Sequence, residues 1–96
     1  MRTVFSNQSE VAHRWANQTQ EYARSGPMSF TGVYAYSYNT AIGRLHTVNG
    51  HTIAIMSDKY YSTTTGKHKS AFARALACPI LWVKGSIDNV EEALLE

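Results

Sequence analysis

The stretch from Tyr60 to Lys69 brings hydroxyl, cationic and aromatic side chains together more densely than any other part of the chain. Two tyrosines lead through one serine and three threonines into Gly-Lys-His-Lys. A helix that begins here leaves its first backbone N–H groups unpaired, beside hydroxyls and two lysines. One interpretation is an anion site formed by Thr64, Thr65, Gly66 and Lys67. The other is a capped helix start without a ligand, and the sequence leaves both open.

The order Thr65-Gly66-Lys67 before a helix is only part of a phosphate-binding loop. Such a loop needs a glycine five residues before its second glycine and a Ser or Thr after the lysine, which holds magnesium. Those two positions are Tyr61 and His68. We therefore do not expect nucleotide hydrolysis, although simple anion binding stays an alternative.

The histidines and the single cysteine indicate neither a metal centre nor a reactive thiol. His46 and His51 are diagonal neighbours on a predicted hairpin, but two ligands without a third do not make a zinc site. His68 is flanked by lysines, which disfavour its protonated form. Cys78 follows a predicted helix, whose C-terminal end disfavours a thiolate. We predict no metal and no cofactor.

The sequence shows no set of residues that is suited to acid–base or nucleophilic catalysis. A nucleophile needs an adjacent base and a third group that orients the base. Six of the seven carboxylates lie on or beside predicted helices, and Asp58 stands alone near a turn. Because no acid and base are paired, we predict a protein that is not an enzyme.

Tyrosines and cations near the middle of the chain predict a binding surface instead. Its residues are Tyr34, Tyr36, Tyr38, Arg44, Lys59, Tyr60, Tyr61, Lys67 and Lys69. Bases of single-stranded nucleic acid stack on such rings while cations follow the phosphates. Tyrosine and arginine also dominate protein–protein interfaces. A third interpretation is that the first helix covers the tyrosines through Trp15 and Tyr22.

Length and composition predict one small domain, residues 1–96, whose 44% hydrophobic content just suffices for a core. No signal-peptide pattern begins the chain and no run approaches ~20 apolar residues, so we expect a soluble, cytoplasmic protein without a membrane partner. The net charge of +2 divides unevenly. Residues 1–84 carry nine Lys and Arg against three acids (+6), whereas residues 85–96 carry four acids and no Lys or Arg (−4). A basic body suits an anionic partner.

The periodicity of apolar residues predicts where the helices begin and end. The 3.6-residue period and the pair Asn7 and Glu10, which resembles a capping box, predict a first helix over about residues 8–24. A second helix begins among residues 63–65 and ends before Pro79, with Lys67, Lys69 and Arg74 outward. Asp88 is the predicted N-cap of a short C-terminal helix.

The strands are predicted from a period of two. Residues 33–38 form a strand with three tyrosines on one face, and Asn49-Gly50 predicts a two-residue type I′ hairpin. That turn sets Val48 opposite His51 and places Ile42 on one face with Ile53 and Ile55. Residues 80–83 form a further short strand. The predicted class is α+β: an antiparallel sheet of three to five strands against two main helices and a short C-terminal one.

Three segments resemble, in order and spacing, a small uncharacterised family that recurs in bacteriophage and prophage genomes. The shared features are His13-x-Trp15-Ala16 within residues 11–24, the strand Tyr36-Ser37-Tyr38, and Tyr-Ser-x-Thr-Thr-x-Lys-His within residues 60–69. The resemblance covers roughly residues 4–76. It implies a phage origin and no catalytic residues.

A phage origin favours stoichiometric binding in the cytoplasm of a bacterial host. We expect a protein that inhibits or modulates a host macromolecular machine, such as a CRISPR or other anti-phage defence complex. The alternatives are a nucleic-acid-binding accessory protein that uses the tyrosine and lysine surface, and a protein that sequesters a small anionic nucleotide signal. A homo-oligomer is compatible with each.

Overall fold

The computed structural model describes residues 2–59, 61–85 and 87. The first helix, α1, covers Gln8–Asn17, and the second, α2, covers Thr63–Ala75. The six strands are β1 (Tyr22–Ser25), β2 (Met28–Thr31), β3 (Tyr34–Ser37), β4 (Thr40–Val48), β5 (His51–Ser57) and β6 (Ile80–Val83).

The strands form one sheet in the order β1-β2-β3-β4-β5-β6. The first five are antiparallel neighbours, and β6 lies parallel to β5 because α2 carries the chain back between them. The α+β class is confirmed. The sheet has six strands, one more than the upper limit of the predicted three to five. The parallel pairing of β6 with β5 makes it a mixed sheet.

Helix α1 begins as predicted but ends seven residues early. The Asn7 side chain caps it by accepting from the Ser9 N–H at 2.8 Å, while the Glu10 carboxylate pairs with Arg14 instead of completing a capping box. Gln18 ends it in the left-handed region, at φ 50°. The predicted extension to residue 24 is wrong because Tyr22 and Ala23 also fit a period of two, and pairing with β2 decides between the two periods.

The Asn49-Gly50 hairpin has the predicted turn and register. Both residues have positive φ, 53° and 80°, as a type I′ turn requires. Val48 lies opposite His51, and the same register continues to Gly43. This local signal was therefore sufficient to align the two longest strands.

A β-bulge corrects the predicted faces of the hairpin. The pairing of β3 with β4 jumps from Ala35 opposite Gly43 to Tyr36 opposite Ala41, which leaves Ile42 as the extra residue. Ile42 turns toward the helices, whereas the prediction grouped it with Ile53 and Ile55 on the other face. A bulge arises from the pairing of two strands, so the period of one strand does not reveal it.

Both helices pack on one face of the sheet. The rings of Trp15 and Phe72 meet edge to face, 5.1 Å apart, and the Trp15 Nε1–H donates to the Val33 carbonyl at 2.9 Å. The buried apolar side chains of this layer are Phe5, Val11, Ala12, Trp15, Ala23, Met28, Phe30, Ala35, Ile42, Leu45, Ala54, Met56 and Phe72. This face is the core, and we call the opposite one the open face.

After α2 the chain forms β6 as predicted. Ile87 then packs against Ile55 on the open face. The predicted C-terminal helix from Asp88 lies outside the described residues. Of the two helices described, neither is long and apolar enough to cross a membrane.

Candidate functional site

The first turn of α2 is capped from within the chain. The Ser62 hydroxyl accepts from the Thr65 N–H at 3.1 Å, and the Ser62 carbonyl accepts from the Gly66 N–H at 2.9 Å. The Thr65 side chain is buried, while Thr64 and Lys67 are exposed. Because two of the N–H groups expected to hold an anion already have acceptors, the geometry favours the capped helix start over the anion site.

Below this turn lies a row of polar side chains, buried at its centre and exposed at Gln8, which we call the hydroxyl–imidazole chain. It comprises Ser62, Thr65, Ser37, His68 and Gln8. The Thr65 hydroxyl lies 3.1 Å from the Ser62 hydroxyl and 3.0 Å from the Ser37 hydroxyl. Ser37 Oγ lies 2.6 Å from Nδ1 of His68, and Nε2 of His68 lies 3.4 Å from Nε2 of Gln8. The chain thus joins α1, β3 and α2.

The pair Ser37 and His68 has the spacing of a nucleophile and its base, but its surroundings do not suit catalysis. The two residues are only 1% and 2% exposed. The Gln8 amide contacts the second ring nitrogen, where a Ser-His-Asp triad has an orienting carboxylate. Burial lowers the pKa of His68, so the neutral ring is favoured by desolvation and not by its lysine neighbours. The pair therefore holds elements together.

The burial of His68 was not predicted from the sequence. Thr65, His68 and Phe72 recur at helical spacing and form the buried side of α2. That spacing was the available signal, but polar residues at two of the three positions concealed it.

Lys69 also faces inward, which corrects the prediction that it points to solvent. It is 9% exposed, and its ammonium donates to the Lys59 carbonyl. Nζ of Lys69 and Nζ of Lys59 lie 5.2 and 5.3 Å from the centre of the Tyr61 ring. Burial lowers the pKa of Lys69, and the nearby Asp58 carboxylate opposes that shift. We call Lys59, Tyr61 and Lys69 the lysine–tyrosine cluster; Tyr60 lies outside the described residues.

On the open face, Tyr34, Tyr36 and Arg44 lie together. The two rings are 6.4 Å apart, and the Arg44 guanidinium lies 5.6 Å from the centre of the Tyr34 ring. Helix α1 packs on the opposite face, so the interpretation that Trp15 and Tyr22 cover these tyrosines is wrong. Tyr22 is instead on the open face.

The register arranges this face in two rows that cross the strands. Tyr22, Thr31, Tyr34 and Arg44 stand in one row, and Arg24, Ser29, Tyr36 and Ala41 stand in the other. We call these eight residues the tyrosine–arginine face. Its charged side chains are both arginines.

Tyr38 does not share that face, contrary to the prediction of three tyrosines together. Its φ of 58° ends β3. The residue is 57% exposed, and its ring lies 6.2 Å from the His68 ring. Lys67 lies elsewhere again, on a polar groove of about 960 Å³ between the start of α1 and the outer side of α2. The groove is lined by Ser6, Asn7, Gln8, Ser9, Thr63, Gly66, Lys67, Ser70, Ala71 and Arg74. The predicted surface is therefore divided among separate places.

Within residues 2–59, 61–85 and 87, no group of three or more His, Cys, Asp and Glu side chains could hold a metal ion. Comparison with known proteins gives no match to a family model, a curated protein or a solved structure.

Proposed function

We propose that this chain is a non-enzymatic binding protein that engages an acidic surface of a partner protein through its tyrosine–arginine face. The observation that carries the proposal is the pair of rows across β1–β4, which bring three tyrosines and two arginines to one face of the sheet. Tyrosine offers a large, stiff contact area and arginine a planar set of donors, so both are enriched among residues that dominate binding energy.

The positions of the lysines favour a protein over single-stranded nucleic acid. Single-stranded nucleic acid that is held by base stacking needs a row of cations beside the rings to bind its phosphates. Lys59 and Lys69 are instead gathered around Tyr61, and Lys67 lies on the helical side of the molecule. The tyrosine–arginine face therefore carries two cations, Arg44 beside the Tyr34 ring and Arg24 two strands from Tyr36. Two separated cations suit a patch of carboxylates better than a continuous phosphate backbone.

The biological role that we propose follows from the resemblance to phage proteins. A small phage protein that binds a host machine acts by occupying a surface, and it needs one copy per target. We propose that the partner is a component of a bacterial defence complex, CRISPR or another, which this protein inhibits or modulates in the cytoplasm.

Capture from a nuclease-treated lysate of the host bacterium tests the proposal. The tagged full chain is compared with the double variant Arg24→Glu/Tyr36→Ala, which changes the tyrosine–arginine face. The matched control is Lys67→Glu/Ser70→Ala, which changes the polar groove by the same amount of charge and also truncates one uncharged side chain. We expect one host protein to be retained by the wild type and by the control, and to be lost by the face variant. Retention by the face variant, or loss by the control alone, would contradict the proposal.

Fluorescence anisotropy with single-stranded DNA and RNA tests the competing function. Micromolar binding that weakens steeply with salt and disappears in Arg24→Glu/Tyr36→Ala would favour nucleic acid. We expect no binding at 50 mM salt. For the nucleotide alternative, calorimetry with mononucleotides and cyclic nucleotides should give flat titrations, because the first turn of α2 is capped by Ser62.

A further inference from the structure

The two edges of the sheet are protected differently. Along β1, the Phe5 N–H donates to the Arg24 carbonyl at 2.9 Å and the Arg24 N–H donates to the Thr3 carbonyl at 2.8 Å, so the preceding segment closes that edge. At the other edge, none of the residues that the structure describes pairs with the outer side of β6. Leu81 and Trp82 are each 48% exposed there. An exposed apolar edge strand is a template for another strand.

The pairing of β6 with β5 shows which backbone groups point outward. The Ala54 N–H donates to the Pro79 carbonyl, and the Asp58 N–H donates to the Val83 carbonyl. In a parallel ladder, alternate residues of a strand bond to the same neighbour. The residues between them, Ile80 and Trp82, therefore direct their N–H and C=O groups away from β5.

We propose that β6 pairs antiparallel with β6 of a second copy of this chain, about a two-fold axis at Leu81. In this register Ile80 of each copy lies opposite Trp82 of the other, and each such pair exchanges two N–H···O=C bonds. All four outward groups of Ile80 and Trp82 are then satisfied. The Leu81 side chains meet across the axis on the open face, and each Trp82 packs beside Ile80 of the other copy. The result is a continuous sheet of twelve strands.

Charge and area explain why a second copy fits this edge and how tightly it binds. Positions 79–83 carry no charge, and the register leaves the two Lys84 side chains at opposite ends of the paired segment. The paired segment, residues 79–83 of each copy, buries less than the ~1,200 Å² of a stable interface. The dimer should therefore form in the range of about 10–1,000 μM, which corresponds to a weak complex.

Sedimentation velocity of the full chain from 5 μM to 1 mM tests the proposal. We expect the mass to rise from monomer toward dimer. Trp82→Pro removes an outward N–H and no bond to β5, so we expect it to stay monomeric at 1 mM. Its matched control, Trp82→Thr, loses the same indole but keeps the backbone N–H. We therefore expect it to dimerise, several-fold more weakly than the wild type. A wild type that is monomeric at 1 mM, or a Trp82→Pro variant that dimerises as well as Trp82→Thr, would overturn the proposal.

A second variant keeps the test decisive if Trp82→Pro fails to fold. Leu81→Lys leaves every backbone group in place and places two like-charged side chains directly opposite each other, with their Cβ atoms about 5 Å apart across the axis. We expect at least tenfold weaker association than in Leu81→Thr, partly restored by 1 M salt. Trp82 fluorescence adds a readout, since Trp15 is already fully buried: dilution should shift the emission to longer wavelength. Equal association of Leu81→Lys and Leu81→Thr would also overturn the proposal.

Discussion

The covered and open faces of the sheet are built from the same strands but carry different side chains. On the covered face Phe30 and Met56 are fully buried beneath Trp15 and Phe72. On the open face Tyr34 and Arg44 are only partly buried and interact through ring and charge. We infer that the covered face supplies most of the free energy of folding, while the tyrosine–arginine face, on the open side, is available for recognition. Substitutions should therefore affect stability on one face and binding on the other.

Phe72→Ala should have the largest effect on the free energy of unfolding. The side chain is fully buried, and its removal leaves Trp15 without its edge-to-face partner. We expect a loss of about 3–5 kcal/mol in urea unfolding followed by circular dichroism. Phe72→Leu, which keeps most of the apolar volume, is the control and should cost clearly less. A loss below about 1.5 kcal/mol would mean that the covered face does not dominate folding.

The buried imidazole of His68 should make stability depend on pH. Burial holds its pKa below the usual 6.5, so the unfolded chain takes up a proton at a higher pH than the folded protein does. Stability is then complete above pH 6.5 and is lost as pH falls from 6.5 to the lowered pKa, with a slope of at most about 1.4 kcal/mol per pH unit. Ser37 and Gln8, which contact the ring, carry no charge that would stabilise imidazolium.

Urea titrations at pH 8, 7, 6 and 5 measure this dependence. His68→Gln cannot titrate, so its stability should change less between pH 7 and pH 5 than that of the wild type. His13→Gln replaces an exposed histidine on α1 and should keep the wild-type profile. Equal profiles for the wild type and His68→Gln would exclude His68 as the source.

Gly43→Ala should destabilise the covered face at the bulge. A Cβ at Gly43 would lie 2.7 Å from Sδ of Met56, so the methionine must move. We expect a loss of about 1–2 kcal/mol, largely relieved in the background of Met56→Ala. Gly66→Ala in α2 is the opposite case, because its Cβ meets nothing within 4 Å and should stabilise by about 0.5–1 kcal/mol. Losses from both substitutions would show that backbone conformation, and not the contact with Met56, sets the cost.

Local signals explain which features the sequence predicted. Asn49-Gly50 carries its own turn preference, the three threonines mark the start of α2, and a short apolar run bounded by Pro79 and Gly85 marks β6. Each of these depends on residues that are close in the chain.

The remaining features depend on contacts between distant residues. Which side of α2 faces inward is decided by Ser37 and Gln8, which lie 31 and 60 positions from His68. The predicted group of three tyrosines does not share one face, because Tyr38 has a positive φ that a period of two does not reveal. Arg24 lies in the same row as Tyr36 only because β1, β2 and β3 pair in this register.

Arg24→Ser and Tyr36→Ala should have the smallest effects on stability and thus give the strictest test of the comparison. Both side chains stand on the open face, where truncation leaves no enclosed cavity and breaks no ladder bond. We expect the free energy of unfolding to change by no more than about 0.5 kcal/mol for Arg24→Ser, and by no more than about 1 kcal/mol for Tyr36→Ala, which loses its cross-strand contacts. A loss near that of Phe72→Ala would show that the open face is part of the folding core. Retained stability together with lost capture of the host protein would assign these side chains to recognition.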